Sequence, residues 1–596
     1  MAKPKYVVGI DLGTTNIVVG YAPLAAGEET EKVEIKLAPI VQELAKGAIE
    51  KLEVFPSFIF ERIKEKPVLD WESDSKFIIG EYARERGSEV PDRLISSAKS
   101  WLCNSRVNRK EAILPWNAPE TSTKLSPLQA MVMFLSHVRE AWNAEFGKDK
   151  LENQKVIITI PASFDAAARD LIVEAAKEAD LPEATLLEEP QAAFYSWISQ
   201  SENPWRKQVS KGDTVLVVDV GGGTTDFSLI EIGEEEGDLS LERVAVGSHI
   251  LLGGDNMDLT LAYIARQKLE AAGKKVNQWQ TIQLSHQCRK AKEMLLGDSS
   301  KESAPVVISG RGSSLVANTI KTTIERKDID GTLIEGFFPQ CSFDDSPVED
   351  TEGGVREINL MYAADPAITR HLAKFLRSQN SEKKSYGYPQ AILFNGGVFK
   401  SEVFKNKLLE VINSWLKEAG KDPIRVLEGA ELSQAVARGA AYFGIASEGK
   451  GIRIRGGVSQ SYYLGVESAL PAIPGFKPPL KALCVAKQGT EEGTVLDVPD
   501  RKFAIRIGKT AEFKFFKSNC RREDNFAEIF EDMDDTFEDT SSLKIELEAY
   551  EGMKAGDIVD VKLQVAITEI GTLEVFCMEV NGDHRWKLEF NVREAA

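Results

Sequence analysis

Residues 215–232 read VLVVDVGGGTTDFSLIEI. A run of strand-forming apolar residues ends at Asp219, three glycines and two threonines follow, and the apolar pattern resumes after a second acid, Asp226. Glycine loops of this kind expose backbone N–H groups to phosphate oxygens, and threonine hydroxyls add further donors. The two carboxylates would repel a phosphate unless a divalent cation lay between them. The stretch therefore predicts a site for a phosphate and a cation.

A related stretch, VVGIDLGTTNIVVGYA, occupies residues 7–22. Both copies have a strand, an acid, a glycine-containing turn, threonines and a second strand. The shared residues are Asp11, Gly13, Thr14 and Thr15 in the first copy, and Asp219, Gly221, Gly222, Gly223 and Thr224 in the second. A single copy is equally compatible with a plain hairpin turn, but two copies predict a duplicated fold with a nucleotide between its halves. The sequence has no GxxxxGK[ST] loop, which argues against a P-loop protein.

The pattern of apolar residues divides the chain into two parts. Up to about residue 449, continuous apolar runs alternate with helical periodicity, which is typical of α/β proteins whose strands are covered on both faces. The strand candidates are 6–11, 156–161, 215–220 and 391–395, and the helix candidates are 165–180, 401–417 and 433–446. Later segments alternate with a period of two, which is typical of β-strands. We predict a nucleotide-binding domain at 1–449 and an all-β domain at 450–596.

Composition argues against several classes of protein. The formal net charge of -19 disfavours nucleic acid or an anionic membrane as the main partner. We expect no membrane-spanning helix, because no apolar stretch reaches ~18 residues, and we expect no signal peptide. The six cysteines are scattered and predict free thiols in a reducing cytoplasm. The five histidines lack the spacing of a zinc site.

The chain resembles the ATPase superfamily of actin, sugar kinases and heat-shock-70 chaperones, and further segments resemble the chaperone family. These segments are IPASFDAAARDLIVEAAKEADL (160–181), LLEEPQAAFYSW (186–197), GSHILLGGDNMD (247–258), ILFNGGVFKSEVFKNKLL (392–409) and SQAVARGAA (433–441). The resemblance is collinear over nearly all of 6–446. It implies a divergent, bacterial-type, DnaK-like member with a two-lobed actin-like ATPase domain, built from a duplicated ribonuclease-H-like fold.

The resemblance also implies catalytic roles. Asp11 and Asp219 would hold a hydrated Mg²⁺, and Asp226 would help to organise the metal and the attacking water. Lys99 matches the lysine that steadies this water and the γ-phosphate, although its local context also suits an ordinary surface lysine. Glu189 matches a residue that connects the attacking water and the metal to the signal between the domains. The implied ligands are ATP or ADP with Mg²⁺, and K⁺ is a further candidate ion.

Other matching residues have binding or signalling roles in the family. Pro161 and Arg169 match a relay toward the substrate domain, although Arg169 lies on a helix that would allow it to be exposed. The implied nucleotide contacts are Gly13, Thr14, Thr15, Gly221, Gly222, Gly223, Thr224, Gly253, Gly254, Lys292, Gly396, Gly397 and Lys400.

The adenine site departs from the family pattern. Arg289 stands where the family has an acid near the ribose, and Glu293 stands where it has an arginine over the adenine. Leu296 and Val398 replace small polar residues. Lys400 keeps a positive charge but lacks the planar stacking surface of a guanidinium. The triphosphate site therefore matches the family, and the base preference is not predicted.

The C-terminal part resembles the family's peptide-binding β-sandwich only weakly, mainly at 559–580. An exposed pair, Tyr462 and Tyr463, is expected where that domain begins. The connection 447–455 does not match the family's acidic-hydrophobic linker, and we expect no helical lid after the final strands. Segment 326–368 is expected to be an inserted loop. A missing lid predicts fast release of a bound peptide.

Three functions follow as hypotheses. The leading one is an ATP-dependent chaperone of the cytoplasm, active in protein folding and the stress response, which binds unfolded or extended peptides by strand-like pairing. The alternative is a nucleotide-dependent scaffold or regulatory protein with one folded partner or co-chaperone and little hydrolysis. The altered linker and absent lid favour this alternative. A small-molecule kinase fits least well, because the specific motifs match chaperones.

Overall fold

Two six-stranded sheets organise the N-terminal part of the chain in the computed structural model. The structure describes residues 3–24, 34–72, 75–104, 106–116, 118–119, 122–200, 208–235, 238–308, 319–349, 360, 362–380, 386–427, 431–432, 434–448, 454–455, 458, 460–467, 480–490, 494–499, 501–508, 510–518, 520–521, 523–539, 543–546, 554, 556–567, 573–580, 582 and 584–588.

The first lobe contains one of these sheets, in the order β11-β10-β1-β2-β3 with β6 also paired to β2. Its strands are β1 (Tyr6–Leu12), β2 (Asn16–Pro23), β3 (Lys36–Leu37), β4 (Ile40–Ala45), β5 (Ala48–Leu52), β6 (Val54–Pro56), β7 (Ile59–Glu61), β8 (Phe77–Ile79), β9 (Leu94–Ile95), β10 (Lys155–Ile160) and β11 (Thr185–Glu188). Its helices are α1 (Glu81–Glu89), α2 (Ala98–Leu102), α3 (Pro127–Phe146), α4 (Ala166–Glu178) and α5 (Glu189–Gln200). The Asp165 side chain caps α4 by accepting from the backbone N–H of Ala168, as its position predicts.

The second lobe contains the other sheet, in the order β18-β17-β12-β13-β14-β19. Its strands are β12 (Thr214–Val220), β13 (Thr225–Glu235), β14 (Asp238–Val246), β15 (Ser303–Ile308), β16 (Ile320–Glu325), β17 (Ala391–Asn395), β18 (Arg425–Val426) and β19 (Ile454–Arg455). Its helices are α6 (Gly254–Ala271), α7 (Gln278–Gly297), α8 (Ile368–Ser378), α9 (Glu402–Glu418) and α10 (Ala435–Ala446). Residues 326–337 form three consecutive helical segments, so the expected loop at 326–368 is wrong for its first part.

The two sheets repeat one topology. β1 is antiparallel to β2 and parallel to β10, and β12 is antiparallel to β13 and parallel to β17. A helix follows the outermost parallel strand in each case, α5 after β11 and α10 after β18. The predicted duplicated, two-lobed α/β fold is confirmed.

Small residues bring α10 against its neighbours, as the sequence predicts. A Cβ on Gly439 would lie 1.6 Å from the carbonyl oxygen of Ala192 in α5. A Cβ on Gly9 of β1 would lie 2.5 Å from the carbonyl oxygen of Ala437 in α10. The two helices share one apolar core with both sheets, which contains Val7 of β1 and Val215 of β12. This core joins the lobes below the cleft between them.

The C-terminal part is a β-sandwich. Its strands are β20 (Ser461–Glu467), β21 (Leu480–Ala486), β22 (Val495–Asp497), β23 (Phe503–Arg506), β24 (Thr510–Phe513), β25 (Phe515–Ser518), β26 (Ile529–Phe530), β27 (Glu538–Asp539), β28 (Leu543–Glu546), β29 (Ile558–Ile567), β30 (Leu573–Glu579) and β31 (Arg585–Leu588). Two five-stranded sheets, one around β20 and β21 and one around β29 and β30, bury a common core. Among the described residues after β19, the structure has strands and turns and no helical lid.

The expectation that Tyr462 and Tyr463 are exposed is wrong. Tyr463 is fully buried, and its hydroxyl donates to Asp524 Oδ2 at 2.7 Å. Tyr462 is half-buried and packs at the edge of the sandwich core. The Tyr463 ring is therefore not available as an exposed contact surface.

Three further expectations concern the domain division, the cysteines and membrane-spanning helices. Residues 449–453 lie outside the described residues, so the division into 1–449 and 450–596 stays a prediction. All six cysteines are free, as expected. Within the described part of the chain, no helix combines the length and apolar character that a membrane crossing requires.

Candidate functional site

A cavity of about 540 Å³ lies between the two lobes, and both acid-containing hairpins line it. Asp11, near the end of β1, contributes from the first lobe, and Asp219, near the end of β12, contributes from the second. Lys99 and Glu189 line the same cavity. The structure thus brings together four residues that are widely separated in sequence.

Each of the two acids has a polar neighbour at the equivalent position of the adjacent parallel strand. Asp11 pairs with Thr159, whose hydroxyl donates to Asp11 Oδ1 at 3.4 Å. Asp219 pairs with Asn395, whose amide donates to Asp219 Oδ2 at 2.6 Å. Asp226 lies directly opposite Asp219 on β13. The sequence analysis did not identify Thr159 or Asn395. The internal duplication is a signal for both residues, because they occupy equivalent positions in the two copies.

The two acids lie close to a third carboxylate, that of Glu189, which is paired with Lys99. Burial and the nearby Glu189 raise the pKa of Asp11 to about 7. Burial, Glu189 and Asp226 raise the pKa of Asp219 as well. Ionised carboxylates in such a site are stabilised by a bound cation. Among the described residues, no group of three or more His, Cys, Asp or Glu side chains is arranged to ligate a metal directly. A metal ion held through water molecules needs no such group, so the water-mediated contact of Asp11 and Asp219 with Mg²⁺ stays a prediction.

Lys99 forms a buried ion pair with Glu189. The Lys99 side chain is 4% exposed, and its Nζ lies 2.6 Å from Glu189 Oε1. Burial acts to lower the pKa of Lys99, but Glu189 outweighs this effect and the pKa is raised. Lys99 is therefore charged and faces the cavity, and it is not a surface lysine.

Glycines allow the loops around the cavity to approach one another. A Cβ on Gly222 would lie 2.0 Å from Thr15 Oγ1, and a Cβ on Gly253 would lie 2.6 Å from the carbonyl oxygen of Gly222. Gly396 has a φ of 86°, and a Cβ there would lie 2.3 Å from the carbonyl oxygen of Val220. Side chains at these positions would displace the backbone that lines the cavity.

The site fits a phosphate group with a cation. Thr15 lines the cavity, and its buried Oγ1 has no hydrogen-bond partner among the residues that the structure describes. A phosphate oxygen would accept from this hydroxyl, and buried polar groups normally have such a partner. The remaining predicted cavity residues, which are Gly13, Thr14, Gly221, Thr224, Gly254, Lys292, Gly397 and Lys400, also line the cavity. Gly223 lies beside it, against Thr14 and Ser100.

Part of the chain is similar in sequence to known chaperone proteins. A family model described as "Hsp70 protein" matches residues 72–342. The chain is 27% identical over 304 residues to the chaperone protein HscA of Buchnera aphidicola subsp. Schizaphis graminum. The aligned region covers 49% of this chain and 42% of that protein. It is 28% identical over 274 residues to a chaperone protein HscA homolog of Bordetella petrii, covering 44% of this chain and 38% of the relative.

The similarity to the Hsp70 family model covers residues 72–342, a little under half of the chain. This is a family of chaperone-type ATPases, and the actin-like fold of the two lobes agrees with it. The match spans less than half the length of these two curated relatives.

Ion pairs occupy the end of the cavity where the sequence departs from the Hsp70 pattern. Arg289 Nε donates to Asp258 Oδ2 at 2.7 Å, and a second guanidinium nitrogen contacts Asp255. Lys292 Nζ lies 2.7 Å from Asp258 Oδ1 and donates to the carbonyl oxygen of Gly254 at 3.0 Å. These contacts tie α6 to α7. Lys292 is thus held by protein groups rather than projecting freely toward a base.

The two residues predicted to form a relay, Pro161 and Arg169, are not among the described residues that line the cavity. The Arg169 side chain is buried, so the alternative of an exposed position is wrong. Its guanidinium donates to Glu188 Oε1 at 2.7 Å and to the carbonyl oxygen of Ala162 at 3.3 Å. Pro161 precedes this residue in the loop after β10. The second oxygen of Glu188 contacts Arg243 of the other lobe.

The structure adds two polar residues that sequence reasoning missed. Ser163 lies in the loop after β10 and contacts Asp226, and its hydroxyl lies 2.7 Å from His249 Nδ1. Burial acts to lower the pKa of His249, but the Asp226 carboxylate, whose Oδ1 lies 3.8 Å from His249 Nδ1, outweighs it and the pKa is raised to about 10. His249 is therefore a cation beside Asp226. Its signal in the sequence is its position within the segment 247–258, which the resemblance already singled out.

Proposed function

We propose that the chain is an ATP-dependent chaperone, which binds and hydrolyses ATP between its lobes and thereby controls peptide binding by its β-sandwich. One observation carries this proposal. Two duplicated hairpins bring Asp11 and Asp219 to one cavity, where Lys99 and Glu189 form a buried ion pair. A cavity that combines acids for a cation with glycine and threonine donors for phosphate suits a nucleoside triphosphate.

The residues of this chain would divide the work of hydrolysis. Asp11 and Asp219 would hold a hydrated Mg²⁺, which when bound neutralises phosphate charge. Lys99 is charged and fixed by Glu189, so it can hold a γ-phosphate oxygen and an attacking water in place. Asp226 accepts from Ser163 and can orient the same water. Positioning and charge stabilisation of this kind supply most of the acceleration in phosphoryl transfer.

Contacts between the lobes and the sandwich support control of one by the other. β19 adds a parallel strand to the edge of the second-lobe sheet, with Ile454 paired to Leu241 and Arg455 paired to Glu242. The amide of the buried Gln488 donates to the carbonyl oxygen of Val244 at 2.9 Å. Strand β14 thus contacts both the connecting segment and the sandwich. We propose that this route links the nucleotide-binding domain, 1–449, to the domain 450–596.

The partners in this proposal are unfolded or extended peptide segments and, in addition, a co-chaperone or folded partner. A chaperone of this type suits the cytoplasm, and its six free thiols agree with a reducing compartment.

A second candidate is a nucleotide-dependent scaffold with one folded partner and little hydrolysis. The ion pairs that Arg289 makes with Asp255 and Asp258 favour it, because they alter the end of the cavity where a base would bind. Such a protein would use nucleotide as a structural ligand.

Phosphate release by the full-length chain tests the proposal. We expect steady hydrolysis of ATP that requires Mg²⁺ and is lost when the metal is chelated. A calorimetric titration with ATP and Mg²⁺ measures binding separately. Tight binding without hydrolysis would favour the scaffold, and no binding would contradict both candidates.

A further inference from the structure

Part of the cavity has apolar walls that the second lobe supplies. Leu296 of α7 and Val398, which follows β17, line this part, and so does Leu432. All three side chains are half-buried and pack against the core of the second lobe. Ligand pockets combine such walls with a few polar groups, and the faces of a nucleotide base are apolar. We call this part the base pocket, and its lining residues are Glu293, Leu296, Val398, Lys400, Ser401 and Leu432.

Ser401 brings a buried hydroxyl to the base pocket. The residue is 6% exposed, and its Oγ has no hydrogen-bond partner among the residues that the structure describes. Ser401 precedes α9, but its side chain does not cap that helix. Buried hydroxyls normally have a hydrogen-bond partner, so a ligand in this pocket would supply the missing one. A hydroxyl both donates and accepts, and Ser401 therefore suits any base.

Two charged side chains of the base pocket, Glu293 and Lys400, can discriminate between bases. Neither makes a hydrogen bond or an ion pair with another described residue. Arg289 of the same helix is, by contrast, paired with Asp255 and Asp258. A carboxylate only accepts hydrogen bonds and an ammonium group only donates them. Together they suit a base that has donors on one edge and acceptors on the next.

Guanine and adenine differ in the groups that they offer to such a pair. Guanine carries two neighbouring N–H donors, at N1 and N2, which match the two oxygens of one carboxylate. Its O6 and N7 are neighbouring acceptors, and lysine commonly donates to them. Adenine has a single amino donor, at N6, between the acceptors N1 and N7. A carboxylate beside adenine would therefore face an acceptor as well as a donor.

We propose that the base pocket favours guanine, with Glu293 accepting from N1 and N2 of the base and Lys400 donating to O6 or N7. This inference rests on the proposed function, because it names the base of the nucleotide that the cavity binds. ATP remains a ligand, since the glycine and threonine contacts to phosphate do not depend on the base. Ser401 and the apolar walls hold either purine.

Calorimetric titration of the full-length chain with Mg²⁺ and one triphosphate at a time tests the preference without any need for hydrolysis. The three probes are guanosine triphosphate (GTP), inosine triphosphate (ITP) and ATP. We expect GTP to bind about fivefold or more tightly than ATP. The base of ITP keeps N1–H and O6 but lacks the amino group at N2. Its affinity should lie between the other two, because one donor to Glu293 is missing.

Glu293→Gln distinguishes hydrogen bonding from a simple effect of charge. Loss of a negative charge alone would strengthen the binding of all three triphosphates, because a carboxylate repels phosphate. Loss of the paired acceptor should instead weaken GTP relative to ATP and remove the preference. Glu402→Gln is the matched control, because Glu402 follows Ser401, pairs with Lys405 and is not among the described residues that line the cavity. This control should keep the preference for GTP.

The outcomes separate the base preference from the proposed function. An unaltered chain that binds ATP as tightly as GTP, or more tightly, overturns the preference and leaves the ATP-dependent function intact. A preference for GTP that persists in Glu293→Gln also overturns the proposal, since another group then reads the base. A chain that binds none of the three triphosphates contradicts the proposed function, and the base preference with it.

Discussion

Lys99 Nζ lies 2.6 Å from Glu189 Oε1, in a pair that is almost closed to solvent. The two residues come from α2 and from the first turn of α5. Glu189 thereby fixes a cationic group at the wall of the cavity, which Asp11 and the buried Asp219 also line. The account of hydrolysis depends on this arrangement, because a flexible lysine would not hold a phosphate and a water in register.

Lys99→Ala should separate hydrolysis from binding. We expect kcat for ATP hydrolysis to fall about 100-fold or more, because a charged group that acts on the transition state is lost. ATP affinity should change much less, since the glycine and threonine contacts remain. Phosphate release and calorimetric titration measure the two quantities. Lys110→Ala, which removes a partly exposed lysine paired with Glu174, is the matched control and should hydrolyse ATP normally. Equal loss in both variants would contradict the role of Lys99.

Asp219→Asn should abolish Mg²⁺-dependent hydrolysis and leave the fold intact. The raised pKa of Asp219 means that the folded state binds its proton more tightly than the unfolded state does. The charged carboxylate therefore opposes folding increasingly as pH rises above the unfolded value of 3.8. Asparagine lacks this charge, so the ligand-free variant should melt no lower than the original at neutral pH. Normal hydrolysis by this variant would show that the metal site is assigned wrongly.

Gly439→Ala should destabilise the fold where α5 and α10 meet. The added Cβ would lie 1.6 Å from the carbonyl oxygen of Ala192, so the helices must move apart. We expect a loss of about 1–3 kcal/mol or more in the free energy of unfolding. Gly336→Ala is the control, because it is helical and has no atom within 4 Å of the added Cβ. Urea unfolding of both variants measures the difference, and equal stability would contradict the close packing.

His286 should make the protein sensitive to acid. Burial first, and then the charge of Arg289, lower the pKa of His286 to about 4 from 6.5. The folded state thus binds this proton less tightly than the unfolded state. The contribution of the neutral imidazole to stability is complete above pH 6.5 and is lost as pH falls toward 4. His286→Gln should flatten the dependence of melting temperature on pH in this window, and the two profiles should run parallel above pH 7. Parallel profiles below pH 6.5 as well would contradict the shift.

Much of the N-terminal fold is predictable from local sequence. Continuous apolar runs identify β1, β10, β12 and β17, because strands covered on both faces carry no alternation. Repetition of the acid, glycine and threonine pattern identifies the hairpins that line the cavity. These features depend on a few neighbouring residues, so one sequence is sufficient to find them.

Other features depend on contacts between distant segments. Glu188 and Arg243 meet only because the lobes meet, and neither residue carries a local signal of its partner. Tyr463 lies between Tyr462 and Leu464, so its local sequence does not show which face is buried, and its burial follows from the rest of the sandwich. The helical segments at 326–337 contain two glycines, which disfavour a helix, yet Ile329, Leu333 and Phe337 form a buried stripe four residues apart.

The affinity of the full-length chain for a panel of unfolded apolar peptides, measured with ATP and then with ADP, tests the central claim most directly. We predict binding to many peptides that weakens about fivefold or more when ATP replaces ADP, because nucleotide and peptide sites are coupled through β14. The absence of peptide binding, or binding that is the same with both nucleotides, would contradict the account and favour a scaffold with a single folded partner.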